Sequence, residues 1–550
     1  MTVHGEPAPT APAPAGGERR RRGNLVTWLI LGGILVVALV LRLWNIDHNL
    51  PFVYNADEEL HFVPKAVDMF GGSLNPGYFE NPPALTYLLY VVFRVRFLGD
   101  HLREAFAGDP EPAFLTARIV VALIGTLVAG LVYWAGARFY DRRVGLVGAA
   151  VMAVAFLPLF YSKHALNDTV TMAPVAVALV GCLLVYERGR WVDWLLAGGA
   201  IGVATATKYT AGAMIVTLIA AAVLRVARDR SALRPTLVGF AVAVGALFVC
   251  FAILNPFAIL HPGEARAQIS GQSDQAGTAK LGQDDTLGWL YYVKTLLWGF
   301  GWLPTVAAIA GGVLAVVRDW RKGLLLVVFP VLLWLYLGEQ GRHFGRWLMP
   351  IYPALCVLAG YAVVSAADAI KVRVPVVVAV LAAVLCVQGV IQAVHIDTIL
   401  GREDTRTQAR AWMETHVPDG AKVVVEPFIP GNWLTLDASR TFDRFAVKRP
   451  FQAYEKKLRP KLVDRYRREG YCWVVVGSHQ KGRGLKAGLK NARAYYRALD
   501  RASASTTVFS PYRRGAEPVE FSYDQSFNYE PRAFARPGPV VEIHRLSGCR

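Results

Sequence analysis

Eleven apolar runs, each close to the length of a membrane-crossing helix, constrain this chain more than any other feature. They lie at residues 24–44, 115–137, 143–161, 169–186, 192–207, 210–226, 235–254, 300–317, 322–338, 347–366 and 373–394. About 20 apolar residues cross a ~30 Å hydrocarbon core as a helix, and helices keep every backbone group satisfied there. With 54% of its 550 residues hydrophobic, the chain reads as a polytopic α-helical membrane protein.

The charges orient it. Lys and Arg outnumber Asp and Glu by 59 to 41, a formal net charge of +18, which suits either a nucleic-acid partner or a positive-inside membrane protein. The basic residues concentrate in short loops between runs: Arg142 and Arg143, Arg188 and Arg190, residues 225–234, residues 318–322, and Lys371 with Arg373. That alternation fits a positive-inside protein and no nucleic-acid partner. Residues 1–23, rich in Pro and Ala and ending in Arg19, Arg20, Arg21 and Arg22, read as a disordered basic cytoplasmic arm. The run after it is too long for a cleaved signal peptide and ends in Arg-Leu-Trp. A further apolar stretch, 84–98, would turn every later basic loop outward if it crossed, so it reads as a helix at the outer interface anchored by Arg94 and Arg96.

An odd number of spans places residues 401–550 outside the cytoplasmic membrane. The expected organisation is therefore the arm 1–23, a transmembrane domain 24–400 with outer loops at about 45–114 and 255–299, and an extracytoplasmic domain 401–550. Helix-like stretches (405–415, 454–469, 485–498) alternate with β-type runs (422–426, 471–476, 540–545) in the tail, which predicts a small α/β domain. Cys182, Cys250, Cys356 and Cys386 fall in spans as packing residues. Cys472 and Cys549 share the outer domain, where an oxidising compartment permits a disulfide. No zinc spacing, phosphate loop, dinucleotide fingerprint or serine elbow is present in the sequence.

The first outer loop carries FVYNADEELHF, with Asp57, Glu58 and Glu59 adjacent. One reading makes Asp57 a helix cap with the other acids favouring a helix N-terminus. Pro64 argues against a single helix opening at Asp57, because it would stand in the interior.

The order LRLWNIDHNLPFVYNADEELHF followed by GGSLNPGYFENPPALTYLLY resembles the first loop of the GT-C integral-membrane glycosyltransferases, in particular the protein O-mannosyltransferase and aminoarabinose transferase branch. The likeness continues in AFLPLFYSKHALNDTVTMAP, GVATATKYTAGAM, GRHFGRWLMPIYPAL and TRTQARAWMETHVPDGAKVVVEPF. It departs at Asn81, where relatives often have a basic residue. The resemblance implies a glycosyltransferase that moves a sugar from a polyprenyl-phosphate carrier to a hydroxyl on the outer face, with inversion; the acceptor could be a protein, a lipid or a cell-wall glycan. Asp57 is then the general base, Glu58 orients the acceptor, and Asp168 is a secondary carboxylate. Lys208, Arg342, His343 and Arg346 are the cations for the departing phosphate. Residue by residue, the commoner fate of a lysine at a span end, snorkelling, suits Lys208, a helix cap suits Asp168, and the Arg342–Arg346 group reads equally as a lipid-headgroup contact. No cofactor is certain; the resemblance allows a divalent metal at Glu80 and His261. Residues 255–287, poor in apolar side chains, read as a long loop able to fold over the acceptor.

A transporter or lipid-linked sugar flippase is the competing class. Such proteins carry internal repeats and ionisable residues near the midplane, whereas no repeat is found here and the candidate residues gather at span ends.

Overall fold

The computed structural model describes residues 16–98, 101–426, 446–448, 458–524 and 528–548. Residues 1–15 of the basic arm, the start of the expected 454–469 helix, and Cys549 lie outside the described residues.

Helix α1 (Gly16–Leu43) enters a loop that holds α2 (Ala56–Leu60), α3 (Phe62–Asp68), α4 (Ala84–Phe97) and α5 (Leu102–Gly108). A run of seven helices follows: α6 (Glu111–Phe139), α7 (Arg142–Val154), α8 (Phe156–Tyr161), α9 (Asn167–Glu187), α10 (Trp191–Thr207), α11 (Ile215–Arg228) and α12 (Leu233–Leu254). After α13 (Pro256–Leu260), α14 (Pro262–Ala276) and α15 (Gly288–Leu296), the bundle closes with α16 (Trp302–Arg318), α17 (Trp320–Gly338), α18 (Tyr352–Ile370) and α19 (Val374–Leu400).

Among the described residues, nine helical stretches are long and apolar enough to cross a membrane. The two expected runs that fall short have local causes. Residues 143–161 break between α7 and α8 at Ala155, where the ring of Pro158 would meet the carbonyl four residues earlier. Helix α10 has only 17 residues. Its glycines let it pack deep: a side chain on Gly198 or Gly202 would strike the backbone of Ala243 or Leu247 on α12, the close approach that small residues permit between helices in lipid. Burial is uneven. The windows of α9 and of the segment leading through α18 are each 89% buried, against 11% for α1, α12 and α19. The first pair forms the centre of the bundle and the other three its rim.

Helix α4 has 14 residues and buries Leu85, Leu89 and Phe93 while Leu88, Val91 and Val95 stay exposed. The expected long loop 255–287 is corrected: its first part is helical, because Pro256 and Pro262 each stand at the start of a helix, where a missing N–H costs nothing. Gln268 of α14 accepts a hydrogen bond from the Phe79 N–H at 2.6 Å, which ties this segment to the first loop.

The tail begins with α20 (Thr405–His416) and forms a five-stranded sheet: β1 (Lys422–Val425), β2 (Ala446–Lys448), β3 (Tyr471–Gly477), β4 (Ser503–Phe509) and β5 (Val541–Leu546). The strand order is β2-β1-β3-β5-β4, with β1 parallel to β2 and β3, and β5 antiparallel to β3 and β4. Helices α21 (Lys461–Arg468), α22 (Ser478–Lys486) and α23 (Lys490–Ala502) complete it. The expected 485–498 helix is two helices, separated at Gly488, whose φ of +68° suits glycine. One face of the sheet packs Val423, Val425 and Val475 on Ala409 and Met413 of α20; the other packs Val424, Val474 and Val476 on Val463, Tyr495 and Leu499. Such two-sided burial explains the unbroken valine runs of β1 and β3. Cys182, Cys250, Cys356 and Cys386 are free thiols, and Cys472 is disulfide-bonded.

Candidate active site

Two of the bundle's interior segments bring charged residues to the end that faces the sheet domain. Asp168 stands in the first turn of α9, and Arg346 lies in the 3₁₀ segment Gly345–Ile351 that leads into α18. The first loop brings Asp57. Asn55 caps α2, its Oδ1 accepting from the backbone N–H of Asp57 at 3.1 Å and of Glu58 at 3.2 Å, so the Asp57 carboxylate is not spent on capping. Pro64 breaks the chain between α2 and α3 at His61. Leu166, not Asp168, occupies the N-cap of α9.

The result is a chain of alternating charge. The Arg346 guanidinium donates to the Asp57 carboxylate and lies 3.8 Å from the Asp168 carboxylate, whose other oxygen is bound by the Lys208 ammonium. Four residues picked out separately in the sequence, from positions 57 to 346, thus meet in one cluster. Arg346 also lies 5.8 Å from the Tyr161 ring centroid and 4.9 Å from that of Phe344, stacking that suits a guanidinium. Burial alone would raise the Asp57 carboxyl, but Arg346 and His61 outweigh it and hold Asp57 below the usual aspartate range. His61 is 3.8 Å from Asp57 and stacks on Tyr78 at 4.6 Å, and burial holds its imidazole below the usual histidine range.

These groups line a cavity of about 640 Å³. Glu80, Asn81, Lys280, Arg342, Tyr523 and Glu530 also face it. Asn81 donates to the Tyr78 hydroxyl at 2.6 Å. Lys280 is held below the usual lysine range by burial and by Arg342 and Arg483, which marks this wall as cation-rich. Arg342 donates to Gln275 at 3.3 Å while its buried Nε has no hydrogen-bond partner among the described residues.

Three expected residues have other duties. Glu58 is fully buried, with Oε1 accepting from Arg118 Nε at 2.8 Å and from the Ala165 N–H at 2.8 Å, and Oε2 accepting from Arg118 Nη2 at 2.9 Å. It clamps the first loop onto α6 and the α8–α9 turn and is not disposed to orient an acceptor. His343 does not line the cavity: its Nδ1 accepts from Gln283 at 3.0 Å and its Nε2 donates to the Gln340 carbonyl at 2.9 Å. His261 is exposed between α13 and α14, stacked on Phe257, and does not face the cavity that Glu80 lines. Among the described residues no group of three or more His, Cys, Asp or Glu side chains is placed to hold a metal ion. Asp57 and Asp168 are each paired with cations.

Other contributors escaped the sequence reading. Arg118 sat inside an apolar run, and a charge there signals a buried partner. The sheet domain's part had no such signal. Asp524 accepts from the Tyr291 hydroxyl, from the Gly345 N–H at 2.8 Å and from Asn528 at 2.9 Å, fixing the backbone beside Arg346. Tyr529 enters the bundle core, its hydroxyl 2.8 Å from that of Tyr161.

Comparison with known proteins agrees with this architecture. Residues 111–256 match the sequence model of the dolichyl-phosphate-mannose-protein mannosyltransferase family. The structure is similar to that of ArnT from Cupriavidus metallidurans bound to undecaprenyl phosphate, at 16% identity over 96% of this chain and 98% of that one, with a TM-score of 0.54. It is also similar to the Archaeoglobus fulgidus oligosaccharyltransferase in the apo form (13% identity, 88% and 73% coverage, TM-score 0.54). The archaeal AglB in complex with an inhibitory peptide and a dolichol-phosphate gives 13% identity, 89% and 74% coverage and a TM-score of 0.52. No curated protein sequence matches the chain. The fold is that of the GT-C membrane glycosyltransferases.

Proposed function

We propose that the protein transfers a sugar from a polyprenyl-phosphate carrier to a hydroxyl acceptor, on the outer face of the cytoplasmic membrane, with inversion at the anomeric carbon. The observation that carries this reading is the Asp57–Arg346–Asp168–Lys208 chain at the floor of a polar cavity. Support also comes from the family match over residues 111–256 and from the polyprenyl phosphates bound to similar folds. The proposed orientation keeps the N-terminus inside and the sheet domain outside, following the basic loops.

The chemistry follows from the pairing. The acceptor oxygen attacks C1 as the bond from C1 to the phosphate oxygen breaks, its electron pair passing to the phosphate. The acceptor proton goes to Asp57, which is ionised at neutral pH. Arg346 links the two events: as its guanidinium turns toward the phosphate it releases Asp57, whose basicity rises when it is needed. Lys208 holds Asp168, which keeps Arg346 in place, while Lys280 and Arg342 add positive charge for the departing phosphate. The acceptor is a protein, lipid or wall-polymer hydroxyl; a peptide is bound in the similar AglB.

The test is transfer of radiolabel from a panel of polyprenyl-phosphate sugars by purified protein in lipid, with a membrane and wall extract as acceptor. Asp57→Asn is expected to lower turnover at least about 100-fold, the scale of a lost general base. Turnover at the wild-type level would remove Asp57 from that role, and label that crosses the bilayer without being transferred would replace the enzyme with a flippase.

A further inference from the structure

A second cavity, of about 550 Å³, lies at the edge of the bundle where the end of α19 meets the sheet domain. Its wall is divided. Ile391, Val394 and Ile399 give an apolar rib, while His395, Arg402 and Arg513 face the same space, and among the described residues no carboxylate lines it. The rib continues down an exposed apolar stripe of α19 through Val380, Val384 and Val387, a surface suited to acyl chains.

The two arginines come from different parts of the fold and are drawn together by one strand of backbone. Arg402 donates to the carbonyl of Ala535 at 2.6 Å, and Arg513 to the adjacent carbonyl of Phe534 at 3.1 Å. That backbone is itself fixed: the Arg513 N–H donates to Ala533 at 2.9 Å, the Ala535 N–H to Pro511 at 2.6 Å, and the Tyr512 and Phe534 rings stack edge to face. His395 contacts the Glu530 carbonyl at 3.3 Å in the next stretch of the same segment. Neither arginine forms an ion pair with a described carboxylate. Like charges held side by side at a membrane edge, above an apolar groove, are complementary to an anion that carries a hydrocarbon tail.

We propose that this cavity binds the phosphate headgroup of an acidic phospholipid, whose chains lie along α19, and that the lipid fastens the sheet domain to the bundle. The site is separate from the cavity that holds Asp57 and does not depend on the reaction there. Full-length protein, stripped of lipid in detergent, would be given phosphatidylglycerol or phosphatidylcholine and the retained lipid counted by native mass spectrometry. Wild type and Asp57→Asn are expected to retain phosphatidylglycerol in preference to phosphatidylcholine. Arg402→Gln with Arg513→Gln should lower that retention roughly 30-fold, the effect of two arginines at a charged lipid surface. Exposed Arg513→Gln alone serves if the double variant does not fold, and should give a smaller loss in the same direction. Unchanged retention in either variant overturns the proposal, as does equal retention of phosphatidylcholine. Displacement by inorganic phosphate at equal concentration overturns the lipid and leaves a soluble-anion site.

Discussion

Glu58→Gln separates the two adjacent acids of the first loop most sharply. The carboxylate and the Arg118 guanidinium are 0% and 1% exposed, joined by two parallel hydrogen bonds. Amidation keeps the size of residue 58 but removes the charge and turns an N–H₂ group toward one of the Arg118 donors. Arg118 Nη1 still reaches the carbonyls of Ile46 at 3.0 Å and His48 at 2.8 Å, so what is lost is the counter-charge. Leaving one member of a buried pair uncompensated costs about 3–5 kcal/mol. Arg118→Met should cost at least as much, because Glu58 then keeps only the Ala165 N–H and the carbonyls of Ile46 and His48 lose their donor. The double variant removes both charges, lets the new side-chain amide still accept from the Ala165 N–H, and orphans two carbonyls at about 1–2 kcal/mol each. Because Arg118→Met orphans the same two carbonyls, that loss cancels in the cycle, and the predicted coupling is at least about 3 kcal/mol, read from equilibrium unfolding in mixed detergent micelles. Asp57→Asn, whose side chain is 38% exposed, is expected to change unfolding by less than about 1 kcal/mol. Single variants within about 0.5 kcal/mol of wild type, or additive losses in the double, would refute the view that Glu58 is a clamp.

Gly198→Leu should prevent α10 from approaching α12, since even a Cβ there meets the Ala243 backbone; the expected outcome is loss of the monodisperse peak in size-exclusion chromatography, while Gly245→Leu, with open space around it, stays wild-type. Glu426 is fully buried at the end of β1, and burial pushes its carboxyl up to about 8. A carboxyl raised in the folded state binds its proton there and not in the unfolded chain. Its contribution is complete below its ordinary value of 4.5 and falls as pH rises toward 8. The melting temperature should therefore decline across that window, and Glu426→Gln should flatten the decline; an unchanged slope would contradict the assignment.

What the sequence alone determined is whatever depends on segment length, periodicity and local steric rules. Among the described residues, nine of the eleven apolar runs are helices long enough to cross a membrane, because lipid leaves the backbone no other partner. Pro64 marks a helix boundary, and the β-type runs of β1 and β3 mark strands, whereas the break before Pro158 and the helix that opens at Pro262 became visible only in the structure. The acidic loop, Asp168, Lys208 and Arg346 were each visible as charges at odds with their surroundings. Only the tertiary structure decided their division of labour. Asp57 and Glu58 are neighbours of the same chemical type, yet one turns toward Arg346 and the other is buried against Arg118 in the wall of the same cavity. His343 and Arg346 share a loop, and only the arginine faces the cavity. The contribution of Asp524 and Tyr529 had no sequence signal at all, because it depends on a contact between the chain's last segment and residues more than a hundred positions earlier. Pairing of that kind is set by how the helices and the sheet pack around a common centre, and no local pattern records it.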